Sequence, residues 1–512
     1  MPRAVSANVG EWLRSSIVAG RGYDGKMVLK GDLADFPFRD PAKGKFLITA
    51  KADGVKLDYA NGWPAIDDIK ADMSFGIGMR IVAEQGEIFG ARLSDVVVEI
   101  PDFESFDEML LIRGEASGPT GEFLRFIEQS PVGEKIDHFT REMKASGNGK
   151  LDLALDIPLR RIEQTRVRGD FRLNNNQIRL FEGMAPLTQV KGRLLLTESS
   201  ITAPEISGRV FGGPLRIGIK SHADHVAVQV AATSNVNELF QHFGLPAGDR
   251  LGGSAAWKSS IEIKHLQTDL VLESDLVGVS SRLPEPLAKA AAEPLALRLE
   301  KTAGDDGREH YRMTLGAVAQ AVAIRRPAGL ERAAVALGSA AATLPDSGVA
   351  VRVAVPRVDA DAWKEVWAAT GSGARGASTM PALAVVSIRT PVLRLFGRDY
   401  TEVDTVLQPR DDGWRIALNM QQAAGELIWR GAGEGSLAGR LQRMVIRPAA
   451  EAGGGPLWAA LLAAVLVWSV LEPRMRQSAK KVPAAASTVT LRVGGMTCSH
   501  CATFHTTTFP EL

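Results

Sequence analysis

Two cysteines near the C-terminus, Cys498 and Cys501, have the clearest chemical potential in the chain. They lie in the run 494–501 (GGMTCSHC) and are the only cysteines among 512 residues, so no disulfide framework holds the body together. Two thiols three positions apart at the start of a helix can reach the same ion, and the positive helix end lowers thiol pKa. Paired thiolates favour soft ions such as Cu(I) or another soft metal ion.

The segment 494–501 resembles the G-M-T-C-x-x-C loop of heavy-metal-associated domains, small βαββαβ modules that pass soft ions between paired thiolates. Residues 488–493 alternate as the first strand of such a module does. Only 11 residues follow Cys501, which is too few to complete the module. The tail 488–512 is therefore expected to be a truncated relative of such a domain, and the alternative is an exposed thiol pair on a frayed tail.

Other candidate motifs are better explained as loops and turns than as cofactor or metal sites. Residues 371–376 (GSGARG) fit G-x-G-x-x-G, but they follow a helical stretch, whereas a dinucleotide site needs a strand before the glycines and a helix after them. His222 and His225 lie just before and at the start of an alternating strand, where a turn with solvated imidazoles is favoured over a metal site. No G-x-S-x-G, P-loop or H-E-x-x-H motif occurs, so we expect no catalytic residues and no enzyme.

Composition limits the classes of protein further. Sixty Lys and Arg residues oppose 59 Asp and Glu, which argues against a nucleic-acid binder held by a basic surface. The chain is 45% hydrophobic with 51 Gly and 26 Pro, so neither disorder nor collagen fits.

The elements before residue 450 are mainly strands. Alternation of apolar and polar residues is faultless over 151–157 and stops at Pro158, and it recurs over 226–230 and 349–355. Alternation predicts antiparallel strands with one apolar face. We expect that face to hold the following candidate lipid-contacting residues: Leu151, Leu153, Leu155, Ile157, Val226, Val228, Val230, Val349, Val351 and Val353.

Short helices are predicted at 121–146, where Ser130 and Pro131 form a cap and first-turn pair, and at 236–243 and 359–370.

A repeat organises the strands. Residues 62–75 align without gaps on 183–196, and 86–91 align on 208–213 after one inserted residue, with a weaker third copy over 392–429. Copies are therefore expected at about 45–100, 170–220 and 385–430. Because one copy cannot bury its apolar face alone, the copies are expected to stack into an elongated, twisted antiparallel sheet of repeated hairpins. A duplicated compact sandwich is the alternative.

Residues 1–446 resemble the YhdP-type branch of AsmA-like bacterial envelope proteins. The resemblance is carried by 31–39 (GDLADFPFR), 57–64 (LDYANGWP), 114–120 (GEASGPT), 211–215 (FGGPL), 283–289 (LPEPLAK) and 425–429 (GELIW). It implies a long sheet with a taco-like groove, anchorage in the inner membrane and non-enzymatic carriage of phospholipid through the periplasm. The chain lacks the family's N-terminal membrane helix and is expected to be an internal segment.

The composition changes beyond residue 446. A Gly/Ala linker at 447–455 precedes a predicted membrane helix at 456–472, whose 15 uncharged apolar residues, 457–471, would span about 23 Å as a helix. That length is short of the ~30 Å hydrocarbon core, but Trp458 and Trp468 near its ends and the basic linker 473–487 favour a membrane span over a buried core helix. A span would leave the body periplasmic and the tail cytoplasmic.

These features predict a membrane-tethered envelope segment whose apolar groove carries phospholipid. The alternatives are a membrane-tethered copper-binding protein acting through Cys498 and Cys501, and a structural scaffold. Sequence leaves the oligomeric state open.

Overall fold

A computed structural model describes residues 7–244, 248–265, 267–370, 382–430 and 436–445. These residues form 26 strands and five α-helices, so the predicted β-rich fold with few helices is confirmed. The helices are α1 Ala7–Ser16, α2 Thr120–Glu128, α3 Pro131–Lys135, α4 Val236–His242 and α5 Ala360–Thr370. The first twelve strands are β1 Ile17–Gly31, β2 Gly44–Leu57, β3 Ile66–Phe75, β4 Met79–Ile88, β5 Ala91–Ile100, β6 Met109–Pro119, β7 Lys144–Pro158, β8 Arg166–Arg179, β9 Leu187–Leu196, β10 Ile201–Val210, β11 Gly213–Ser221 and β12 Val226–Asn235.

The remaining strands are β13 Leu251–Lys264, β14 Gln267–Ser274, β15 Val279–Ser281, β16 Leu297–Ala303, β17 Glu309–Leu315, β18 Ala319–Arg326, β19 Gly329–Gly338, β20 Gly348–Ala354, β21 Arg357–Asp359, β22 Leu383–Leu395, β23 Arg398–Arg410, β24 Gly413–Asn419, β25 Ala423–Arg430 and β26 Ser436–Met444. The chain divides into two compact units: unit 1 is Met1–Ser234 with Lys258–Thr268, and unit 2 is Asn235–Trp257 with Asp269–Leu512.

Unit 1 is an antiparallel meander in which each strand from β1 to β12 pairs with the next. Among the described residues no pairing joins β1 to β12, so the sheet is open. The first two predicted repeat copies coincide with β2–β5 and β8–β11. In both, a Phe-Gly pair with positive φ makes the same tight turn, at Phe89-Gly90 and at Phe211-Gly212. Such turns match the twist of the strands that they join.

Unit 2 departs from the expected antiparallel pattern. Strands β14 and β16–β19 form an antiparallel run, but β19 pairs parallel with β20, and β22 pairs parallel with both β20 and β21. The connection from β19 to β20 must therefore cross the sheet. Arg332 and Arg352 donate to the carbonyls of Pro345 and Thr343 in this crossing segment, on the face where Ala334 and Ala350 are fully buried. Small alanines on that face allow the close approach of the crossing backbone.

The third predicted repeat copy, 385–430, coincides with β22–β25, which return to antiparallel pairing through β26. Its Phe396-Gly397 turn has the same positive φ pair as the first two copies. The repeat predicted over 392–429 contains this turn, although the alignment of residue types did not identify it.

Helix ends follow local capping. Ser130 Oγ accepts a hydrogen bond from the Val132 amide at the start of α3, as expected, and Asn235 caps α4 in the same way. The region 121–146, where short helices were predicted, contains most of α2 and all of α3, and β7 begins at Lys144. No helix of the described ranges is both long and apolar enough to span a membrane. The apolar run 456–472, its linkers and the tail 488–512 lie outside the described residues.

Candidate functional site

One face of unit 1 carries a row of apolar side chains that crosses seven strands. Strand register places these residues side by side from β2 to β8, and each side chain is partly exposed: Ala50, Met73, Ile81, Val98, Ile112, Leu155 and Val167. With strands about 4.8 Å apart, the row is about 29 Å long. A partly exposed apolar row of this length is a surface that another apolar molecule can cover.

The four candidate residues of β7 lie on this face. Leu151, Leu153, Leu155 and Ile157 alternate along the strand, and all four are partly exposed. Leu153 pairs with Gly114 on one side and with Gly169 on the other.

Side chains of neighbouring residues occupy the space over both of these glycines. A Cβ at Gly114 would lie 2.8 Å from Val96 Cγ2, so only glycine fits there without a shift. Sequence alternation located Leu153, but it gave no sign of these neighbours, because they depend on register.

The candidate residues of β12 extend the same pattern. Val226, Val228 and Val230 are partly exposed, and Val228 and Val230 pair with Ile219 and Ile217 of β11.

The opposite face of unit 1 is charged, and its acidic and basic side chains pair with one another. Asp156 accepts hydrogen bonds from Arg113 at 2.6 Å and from Arg168 at 2.9 Å, and Asp170 pairs with Arg172 and Arg193. The hydrogen bond from Arg113 is the main cause that holds the pKa of Asp156 below its usual value, and Arg193 does the same for Asp170. The sheet therefore has one polar and one apolar face, as alternation predicted.

A depression of about 600 Å³ lies around Ala154, chiefly on this charged face. The arginines that line it, Arg113, Arg168 and Arg193, already pair with Asp156 or Asp170. Four carboxylates, Asp95, Glu115, Asp152 and Asp170, line the depression beside these three arginines, so it is not a ready-made anion site.

Helix α2 packs near one end of the apolar face. The rings of Phe123 and Phe171 are 5.0 Å apart, and Phe126 lies 5.9 Å from Trp63. The start of α2 is held by a hydrogen bond from Asn176 to Thr120, and both residues are almost completely buried. Helix α2 therefore borders the apolar face, and this buried hydrogen bond holds its first residue in place.

Unit 2 has an apolar row of its own, which crosses ten strands. Register aligns Leu272, Leu299, Met313, Ala321, Val335, Val351, Val386, Leu407, Ile416 and Leu427. Of the candidates on β20, Val351 and Val353 are partly exposed, whereas Val349 is buried at 8% exposure.

The row of unit 2 becomes buried at β24 and β25. Trp414 and Trp429 pair across these strands and form a core with Ile416, Leu427 and Leu437. The sequence did not identify these tryptophans as core residues, although both alternate with polar residues on strands, which was the available signal. This stretch is ordinary core, and the accessible part of the row lies between β14 and β22.

The remaining candidates show no metal site. His222 and His225 occupy the predicted turn, with rings stacked 4.6 Å apart and His225 Nδ1 2.8 Å from Asp224. Within the described ranges, no three His, Cys, Asp or Glu side chains are placed to hold a metal ion. Cys498, Cys501 and residues 371–376 lie outside those ranges, so copper binding by the tail stays a prediction.

Comparison with known proteins supplies the family. The chain is similar to the intermembrane phospholipid transporter YhdP of Escherichia coli strain K12, with 26% identity over 447 residues, covering 82% of this chain. It spans 34% of the length of that relative. No solved structure matches the chain significantly. The family described as YhdP protein matches residues 1–460, and the chain therefore belongs to the YhdP family.

Proposed function

We propose that this chain is a non-enzymatic segment of an envelope protein that shields phospholipid acyl chains between the inner and outer membranes. The observation that carries the proposal is the partly exposed apolar row on each unit. In unit 1 the opposite face of the sheet is charged, and its acidic and basic side chains pair with one another. The name of the E. coli relative, an intermembrane phospholipid transporter, supports the same role.

Shielding needs surface rather than chemistry. Each CH₂ group kept from water is worth about 0.8 kcal/mol, so two acyl chains require roughly 20 kcal/mol of shielding in transit. One leaflet of a bilayer is about 15 Å thick, half of the ~30 Å core, and the 29 Å row of unit 1 exceeds that length. A single unit can therefore cover an acyl chain along its whole length.

The proposal assigns acyl contact to the partly exposed candidates on β7, β12 and β20. Val349 contributes least, since it is already buried by the protein itself. Uniform aliphatic walls suit a cargo that slides, because no position holds the chain much more tightly than the next.

The proposed location follows from the role. The body would lie in the periplasm in association with the inner membrane, and the tail would be cytoplasmic if 457–471 spans the membrane.

Native mass spectrometry of the chain purified from bacterial membranes tests this proposal. We expect phospholipid adducts on the wild-type chain and a strong reduction in a Leu155→Glu variant, with Ala154→Glu on the opposite face as the matched control. A chain that carries no phospholipid in either form would refute the proposal and favour a structural scaffold.

A further inference from the structure

A charged cluster lies on the apolar face of unit 2, next to the row. Lys301 follows Leu299 by two positions on β16, and Glu309 and Tyr311 precede Met313 by four and two positions on β17. Residues two apart on a strand share a face, so these three side chains point to the same side as the apolar row. Arg325 of β18 pairs with Glu309 and completes the group. We call Lys301, Glu309, Tyr311 and Arg325 the rim cluster.

The rim cluster is tightly bonded around one carboxylate. Lys301 Nζ lies 2.8 Å from Glu309 Oε1, while Arg325 Nη1 and the Tyr311 hydroxyl lie 3.0 Å and 2.9 Å from Oε2. Burial opposes ionisation of Glu309, but these hydrogen bonds outweigh it and lower the pKa of Glu309. Burial and the neighbouring carboxylate raise the pKa of Tyr311 to about 12, so the phenol stays protonated.

The rim cluster therefore carries two positive charges and one negative charge. The side chains of Lys301 and Glu309 are only 20% and 25% exposed, whereas that of Arg325 is 49% exposed and open to an incoming anion. On the other face of the same strands, Arg298 is held by two carboxylates, Glu273 and Glu300. The rim cluster thus places one excess positive charge beside the apolar row, on the face that the proposed function assigns to lipid.

The geometry points to the rim cluster as the site that binds the phosphodiester headgroup of a phospholipid whose acyl chains lie on the apolar row of unit 2. This inference rests on the proposed function and adds to it a fixed position for the headgroup. Lysine and arginine are the side chains that pair best with phosphate oxygens, and Glu309 can accept from a headgroup ammonium. Along β16, Lys301 is two residues, or about 7 Å, from Leu299 of the row. A headgroup held at the rim cluster therefore leaves its acyl chains within reach of the row.

Lipid-binding measurements on the full chain test the assignment. The probes are phosphatidylethanolamine, diacylglycerol with the same acyl chains, and inorganic phosphate. The test variant is Lys301→Gln with Arg325→Gln, and the matched control is Arg298→Gln, which removes an ion-paired cation from the opposite face.

We expect the double variant to bind phosphatidylethanolamine about tenfold more weakly and diacylglycerol as the wild type does. Conversion of both positions to the other basic residue, Lys301→Arg with Arg325→Lys, is expected to restore most of the affinity. Millimolar inorganic phosphate is expected to leave the lipid in place.

Three outcomes would overturn the assignment. Unchanged phosphatidylethanolamine affinity in the double variant would show that the headgroup lies elsewhere, and an equal loss of diacylglycerol would show a packing role. Displacement of the lipid by inorganic phosphate would show a simple anion site. Failure of the wild type to bind either lipid would instead refute the proposed function, and the headgroup assignment with it.

Discussion

Introducing a carboxylate into the apolar row of unit 1 gives a prediction with a defined magnitude. Leu155 lies between Ile112 and Val167 and is partly exposed, so a Leu155→Glu side chain can reach water when no lipid is bound. An acyl chain that covers the position must remove this water. Burying the ionised carboxylate costs several kcal/mol, and the least costly alternative is to protonate it.

The cost of protonation sets the size of the effect. An ordinary glutamate pKa is about 4.3, and each pH unit above it is worth about 1.36 kcal/mol, so protonation costs about 3.7 kcal/mol at pH 7. That corresponds to an affinity loss of about 500-fold. At pH 5 the cost falls to about 1 kcal/mol, or roughly fivefold, so acidification should restore about 100-fold of the lost affinity.

The assay is binding of a fluorescent phospholipid to the purified chain at pH 7 and pH 5. Leu155→Gln has a similar shape without a titratable group, and its affinity should not recover at pH 5. Ala154→Glu projects between Arg113 and Arg168 on the charged face and should bind lipid as the wild type does. The reasoning is refuted if Leu155→Glu binds normally at pH 7, or if Ala154→Glu is impaired to the same degree.

Three further predictions concern stability and the tail. Asp156→Asn should lower the free energy of unfolding by about 1–2 kcal/mol at pH 7. Because folding lowers the pKa of Asp156, this difference between wild type and variant is fully present above the unfolded pKa of about 3.9. The difference should shrink towards pH 3 when unfolding is followed by urea titration. An increment that persists undiminished at pH 3 would contradict this. Asn176→Ala should lower the free energy of unfolding by about 1–3 kcal/mol and speed amide hydrogen exchange in α2, because the buried hydroxyl of Thr120 loses its hydrogen-bond donor. The control Gln177→Ala, at an exposed position, should change neither quantity. Equal exchange protection of α2 in the Asn176 variant and the wild type would count against the anchoring role of Asn176. Titration of Cu(I) should give binding that is abolished by Cys498→Ser if the thiol pair with Cys501 is functional, and binding equal in both proteins would eliminate that site.

The strands and their apolar faces could be predicted from sequence because alternation is a local property. Leu151–Ile157 shows this best: the strand, its stop at Pro158 and its apolar face all follow from residue types. Helix starts were accessible for the same reason, since Ser130 caps α3 through its own side chain.

Features that depend on pairing partners could not be predicted. The parallel pairing of β19 with β20 relies on alanines that admit a crossing segment, and alternation alone does not distinguish parallel from antiparallel neighbours. The glycines beside Leu153 and the rim cluster around Glu309 are assembled by register between strands, so they become visible only when the strands are aligned.

Photo-crosslinking in living bacteria tests the central claim most directly. A photoreactive amino acid is placed in turn at Leu155 and Val351 on the apolar rows, and at Ala154 and Arg352, their neighbours on the opposite faces. The account predicts that phospholipid is captured at Leu155 and Val351 and not at the neighbouring positions. Equal capture on both faces, or capture only at Ala154 and Arg352, would contradict it.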